Sequence, residues 1–224
     1  MPFRDRLDAG RRLAEALAHY KDQRPIVLAL PRGGVPVAAE VADAFKAPLD
    51  LILVRKIGVP YQPELAMGAV VDGPDPLVVR NEDVIRMSGV SEEEFAQVRD
   101  RELAEIGRRR IRYLGDRSHP ELEGQVVIVI DDGVATGATA HAALRAIRNQ
   151  KPRRLILAVP VAPTDTLREL SGEADEIVCL EDHELFMAIG DYYADFRQIS
   201  DEEVTESLAR FPLREAAGTK VSAA

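Results

Sequence analysis

VVIVIDDGVATGAT, residues 126–139, sets an apolar run against two adjacent aspartates and then a loop with almost no side-chain bulk. VVIVI does not alternate in polarity, so it reads as a strand buried on both faces, as in a parallel α/β sheet. Ligands of such sheets bind beyond the carboxyl ends of the strands, where Asp131 and Asp132 fall. The small residues that follow, Ala135, Thr136, Gly137, Ala138 and Thr139, let backbone N–H groups approach an anion. The helix expected from about Gly137 to Asn149 adds a favourable dipole. Two carboxylates facing a phosphate would repel it. They are better suited to accept hydrogen bonds from vicinal hydroxyls. A phosphate at one end and a diol in the middle describe a sugar phosphate.

Outward from this junction, strands alternate with helices. Apolar runs at 26–30, 49–54, 65–71, 154–162 and 176–180, with a short one at 76–79, read as strands. Phe3, Leu7, Leu13, Ala14, Leu17 and Tyr20 mark one face of an opening helix, and residues 35–45 form another. Residues 91–114 read as a long charged helix with a Ser91–Glu94 capping box, open to division at Gly107. Thr164 is expected to cap a further helix, Cys179, Phe186 and Met187 to lie in the core, and the tail EAAGTKVSAA to be frayed. The expected class is α/β, a mostly parallel twisted sheet flanked by helices. One domain is expected over residues 1–212, with a helical insertion at about 81–116 and a disordered tail at 213–224.

Composition narrows the function. The 224 residues carry a net charge of −9, so a polyanionic polymer is not an expected partner and RRRIR at 108–112 reads as a solvated helix end. The lone cysteine cannot form an internal disulfide, which fits a reducing cytoplasm. The start MPFRDRLDAG lacks the apolar core of an export signal, and no run reaches the roughly 20 apolar residues of a membrane span. No Walker A loop, G-x-G-x-x-G turn or G-x-S-x-G elbow is present.

VVIVIDDGVATGAT resembles the phosphoribosyl-pyrophosphate (PRPP) signature of type I phosphoribosyltransferases, with Gly133 where that pattern usually has an aliphatic residue. LPRGGVPVAAEVA (30–42) resembles the family's pyrophosphate loop, and VRKIGVPYQPELAMGAV (54–70) its second strand and mobile loop. The resemblance, which runs from about residue 3 to 210, implies a small hood built from the chain ends. It implies transfer of 5-phosphoribosyl from PRPP to a nitrogen of a small N-heterocyclic, nucleobase-like acceptor, with release of pyrophosphate and help from Mg²⁺. In that reading Asp131 and Asp132 serve the ribose hydroxyls and the metal, directly or through water. Residues Ala135 to Thr139 hold the 5′-phosphate, and Arg32, Gly33, Gly34, Arg55 and Lys56 serve pyrophosphate. A cis peptide of the kind such loops carry would fall at Pro31–Arg32 or Arg32–Gly33. AIGDYYADFRQISDEE (188–203) is either a stacking platform for the base or a patch anchoring the tail. A homodimer stays open. So do two other functions, a PRPP- or nucleotide-binding sensor without turnover and a sugar-phosphate hydrolase.

Overall fold

The computed structural model describes residues 2–73, 76–117 and 119–212. Five parallel strands form the main sheet: β1 (Ile26–Ala29), β2 (Leu49–Leu51), β6 (Val126–Ile130), β7 (Arg154–Pro163) and β8 (Glu176–His183), in the order β2-β1-β6-β7-β8. All five residues of β6 are buried. Val126, Ile128 and Ile130 face one apolar cluster, while Val127 and Val129 face another. The period-two alternation of strand side chains thus feeds two cores. Helices α1 (Arg6–Ala16), α2 (Gly34–Phe45), α4 (Glu92–Leu114) and α7 (Asp201–Ala209) contribute to the first cluster. Helix α5 (Ala138–Asn149) and α6 (Thr164–Leu170) contribute to the second. Residues 82–88 and 92–114 form α3 (Glu82–Ser88) and α4.

The expected run at 49–54 is divided between two sheets. Leu49–Leu51 joins the parallel sheet, whereas β3 (Val54–Val59), β4 (Gln62–Val71) and β5 (Leu77–Arg80) form a separate antiparallel one. The segment expected to be a loop around Gly58 is a hairpin turning at Pro60–Tyr61, with Val59 paired to Gln62. Two-residue turns of this kind join antiparallel strands, as in this second sheet.

Helix α4 is continuous through Gly107, and the Ser91–Glu94 capping box forms in both directions. Its arginines are matched locally: Arg108 and Arg109 reach Glu105, Arg110 reaches Asp72, and Arg112 reaches Asp201 and Glu202. Thr164 is a first helical residue rather than a side-chain cap, and its hydroxyl bonds Asp182 instead. Cys179 is half-buried on the edge strand, where burial pushes its thiol up to about 12. Phe186 is half-buried, but Met187 is 89% exposed, so it is not a core residue. The frayed-tail expectation for EAAGTKVSAA lies outside the described residues. Among the described residues no helix is long and apolar enough to cross a membrane.

Beside the edge strand β2, His119 Nδ1 lies 2.8 Å from Asp50 Oδ2 and Nε2 lies 3.5 Å from Asp72 Oδ2. Hydrogen bonding to Asp50, then Asp72, raises the imidazole pKa from 6.5 to about 9. Arg117 lies beside the same Asp50 and bonds the carbonyls of Leu49, Leu208 and Phe211.

For His119, a folded-state pKa above the unfolded value means that the proton stabilises the fold. That contribution is complete below about pH 6.5 and is lost as pH rises through about 9. The parent should therefore lose on the order of 2 kcal/mol between pH 6 and 9.5 relative to His119→Gln, roughly 4–8 °C in Tm by thermal melts. A Cβ on Gly107 would meet nothing within 4 Å beyond its own helix, so Gly107→Ala should raise stability by roughly 0.5–1 kcal/mol in denaturant titration.

Candidate active site

The β1 and β6 tips are joined by a hydrogen bond from Leu30 N to Ile130 O at 2.9 Å. The turn after β1 then lies directly on the acidic segment after β6. A Cβ built on Gly34 would sit 2.7 Å from Ile130 O and 2.9 Å from Asp131 Cα. One on Gly33 would sit 2.0 Å from Asp132 Oδ2. Both positions need glycine for close approach and not for positive φ, which neither adopts. The Pro31–Arg32 peptide bond is cis.

The two aspartates are held differently. Asp132 is buried, and its Oδ2 receives Arg6 Nε at 2.7 Å. Arg6 is equally buried, donates from Nη1 to Arg197 O at 2.8 Å, and lies 3.9 Å from the centre of the Phe196 ring. Tyr193 donates its hydroxyl to the backbone oxygen of Asp132 at 2.5 Å. Burial pushes that phenol well above its ordinary range. Asp131 keeps part of its surface open, and its Oδ1 accepts from Asp132 N at 2.9 Å. Among the described residues nothing donates to its Oδ2. Enclosure by the surrounding protein and the neighbouring Asp132 carboxylate hold the Asp131 carboxyl well above the usual carboxylate range. A group in that position gains from new hydrogen-bond donors or a cation.

The small-residue loop is pinned from beneath. Val134 N donates to Val161 O at 3.0 Å, and Thr166 Oγ1 donates to Ala135 O at 2.8 Å. Gly137 adopts φ +75, a conformation that favours glycine, and lets α5 begin at Ala138. Ala135, Thr136, Ala138 and Thr139 remain exposed. Thr136, Gly137 and Ala138 border a crevice of about 430 Å³ between the antiparallel sheet and helices α5 and α6. At Gly133 a Cβ would lie 2.6 Å from Ile189 Cγ2 and 3.1 Å from Val161 Cγ1. The departure from an aliphatic residue therefore makes room for the segment that covers the site.

That cover is the hood. Phe3 pairs with Tyr193 in an isolated bridge, and Phe3, Tyr193 and Phe196 pack ring to ring. Tyr193 and Phe196 therefore anchor the end of the chain, whereas Tyr192 stacks on Phe186 nearer the surface.

The cationic residues are dispersed. Arg32 Nη1 lies 3.6 Å from Asp201 Oδ1 on α7. Tyr113 donates a hydrogen bond to Asp201, and that bond with the adjacent arginines keeps the Asp201 carboxyl below its ordinary range. Arg55 pairs with Glu102 at 2.7 Å, and Lys56 Nζ reaches the Glu64 backbone oxygen at 3.1 Å and Oε2 at 3.2 Å. Arg55 and Lys56 border a cavity of about 610 Å³ between the hairpin and α4, separate from the crevice at Thr136. The fold thus brings residues 31–34 onto 131–132 and sets 135–139 beside them, with Arg55 and Lys56 in a different recess. Sequence reasoning misses Arg6. Its signal is an arginine three and seven positions before the buried Ala9 and Leu13, on the apolar face of α1.

Comparison with known proteins agrees with this architecture. A phosphoribosyl transferase domain model matches residues 4–197. Proteins of two Mycobacterium tuberculosis strains, provisionally named phosphoribosyl transferases, are each 46% identical over 208 residues. The match covers 93% of this chain and 46% of theirs, so the chain spans about half the length of these relatives. The crystal structure of TT1426 from Thermus thermophilus superposes with a TM-score of 0.77 at 41% identity, over 94% of this chain and 99% of that one. The chain belongs to the phosphoribosyl transferase domain family.

Proposed function

We propose that this chain transfers the 5-phosphoribosyl group of PRPP to a ring nitrogen of a nucleobase-like acceptor. The observation that carries the reading is the convergence of two glycine-containing loops, 31–34 and 131–139, at adjacent strand tips. Exposed Thr136, Ala138 and Thr139 lie there beside an open crevice. The loop amides and the Thr136 and Thr139 hydroxyls hold the 5′-phosphate at the start of α5. The acidic pair meets the ribose hydroxyls. Arg32 and the amides of Gly33 and Gly34 meet pyrophosphate, with Arg55 and Lys56 supplied by movement of the β3–β4 hairpin.

In the reaction the bond from the ribose anomeric carbon to the pyrophosphate oxygen breaks, and a bond from the acceptor nitrogen to that carbon forms. The acceptor nitrogen gives up its proton to solvent or to the departing pyrophosphate, and the electron pair of the broken bond leaves with pyrophosphate. The chain's contribution is orientation of both ends of PRPP and stabilisation of charge as it develops. No protein nucleophile is required.

Mg²⁺ fits the donor chemistry at Asp131. Its Oδ2 has no donor among the described residues, and Asp132 is engaged by Arg6 through Oδ2 alone. Mg²⁺ typically keeps several waters and is held by one or two carboxylates together with substrate oxygens. When bound, it would neutralise charge on the pyrophosphate.

PRPP with Mg²⁺ should raise the parent's Tm, by roughly 5–10 °C at a hundredfold excess over Kd. Asp131→Asn combined with Asp132→Asn should abolish that rise. No shift for the folded parent at millimolar PRPP would sink the reading. Pyrophosphate release across a panel of purines, pyrimidines and pyridines then separates catalysis from sensing. Release with any base excludes the sensor, and binding without release supports it.

A further inference from the structure

Helix α4 carries a charge where its pattern calls for an apolar residue. Its buried face runs through Phe95, Val98, Glu102 and Ile106 at three- and four-residue steps, and Glu102 is the carboxylate in that row. The Glu102 side chain is only 9% exposed. Arg55 on β3 meets its Oε2 with Nε at 2.8 Å and Nη2 at 2.7 Å. The other oxygen, Oε1, lies 3.3 Å from Nε of Arg101. A buried ion pair is often no more stabilising than apolar residues of the same size, so packing alone does not account for Glu102.

The joint around this pair is hollow. The cavity of about 610 Å³ between the hairpin and α4 is walled by Pro60, Pro63, Gln97 and Val98 as well as by Arg55 and Arg101. The tip of the hairpin is held at the end of α3, where the Tyr61 hydroxyl donates to the Ser88 backbone oxygen. Polar contacts at base and tip thus hold the hairpin to α3 and α4 across a space that packed side chains do not fill. Glu102 also has a second arginine beside it, so the departure of Arg55 would not leave its charge uncompensated.

Resting on the reading just proposed, we infer that Glu102 is a latch that holds Arg55 back from PRPP, and that Arg55 exchanges this carboxylate for pyrophosphate when the hairpin moves. Glu102 and the incoming anion compete for one guanidinium. Arg101 stays with Glu102 after the exchange and lowers its cost. Glu102 acts through Arg55 and is a positioning residue. The long charged helix α4 thereby gains a role: it restrains the end of the site that meets the leaving group.

Calorimetry on the full chain with PRPP and with ribose 5-phosphate, each in Mg²⁺, separates a latch from a structural ion pair. Ribose 5-phosphate presents the same phosphate and sugar without the pyrophosphate. Glu102→Gln keeps the shape and removes the charge. It should tighten PRPP binding by roughly threefold or more, the strength of a half-exposed ion pair, and leave ribose 5-phosphate affinity unchanged. Arg101→Met should instead weaken PRPP binding, because Glu102 is then left charged and alone once Arg55 departs. The Arg101 side chain is 71% exposed, so this variant should fold as the parent does.

A folded Glu102→Gln variant whose PRPP affinity equals or falls below the parent's overturns the latch. An equal change for the two ligands does the same. Should Glu102→Gln fail to fold, unchanged or tighter PRPP binding by Arg101→Met overturns it. In each case PRPP binding by the parent leaves the functional reading standing. A parent that binds no PRPP overturns that reading and the latch together.

Discussion

A buried charge needs a partner. Asp132 and Arg6 lie 126 positions apart in sequence and meet at 2.7 Å. Withdrawing two such groups from water costs several kcal/mol per ion, and their attraction offsets this only with good geometry and further hydrogen bonds. Here a second Arg6 donor, Nη1, finds the Arg197 carbonyl, and the guanidinium face finds Phe196. Removing one partner of such a pair typically costs about 3–5 kcal/mol, because the other is left charged in an enclosed place. The helix at the chain's start, the turn after β1, the β6 tip and the hood share this constraint.

The remainder of the site follows from close approach. A side chain on Gly33 would overlap the Asp132 carboxylate, one on Gly34 would overlap the backbone at Ile130 and Asp131, and Gly133 is where Ile189 enters. These glycines do not make the region loose. They let three segments pack within van der Waals distance, and the exposed residues 135, 136, 138 and 139 are the part left uncovered. A rigid base beneath an open rim suits a site in which backbone amides must point in a fixed direction.

The parallel sheet was legible because VVIVI, IVLAL and IVCL are uniformly apolar and bounded by turn-forming or charged residues. The capping box of α4 was legible because it is local, made of residues three apart. Less visible were features set by distant contacts. Nothing local in LDLILV marks where one sheet ends and another begins, since apolar residues run through both halves with Asp50 alone between them. Thr164 has the letters of a cap, but β8 presents Asp182 to its hydroxyl. The acidic pair was legible as a pair, but its asymmetry was not, because the partner that distinguishes Asp132 from Asp131 lies in the opening helix. Met187 shows the opposite limit: hydrophobicity alone does not bury a residue at a loop's outer surface.

The edge strand β8 has a consequence for how the molecule behaves in company. It is flanked on one side by β7 and contains Glu176, Glu181 and Asp182 among its eight residues. The opposite edge, β2, is only three residues long. A strand from a neighbouring molecule laid along β8 would have to approach carboxylates, and one laid along β2 would find few amides to pair with. The main sheet is thereby protected at both margins against growth by strand addition, the route by which exposed apolar edges lead to aggregation.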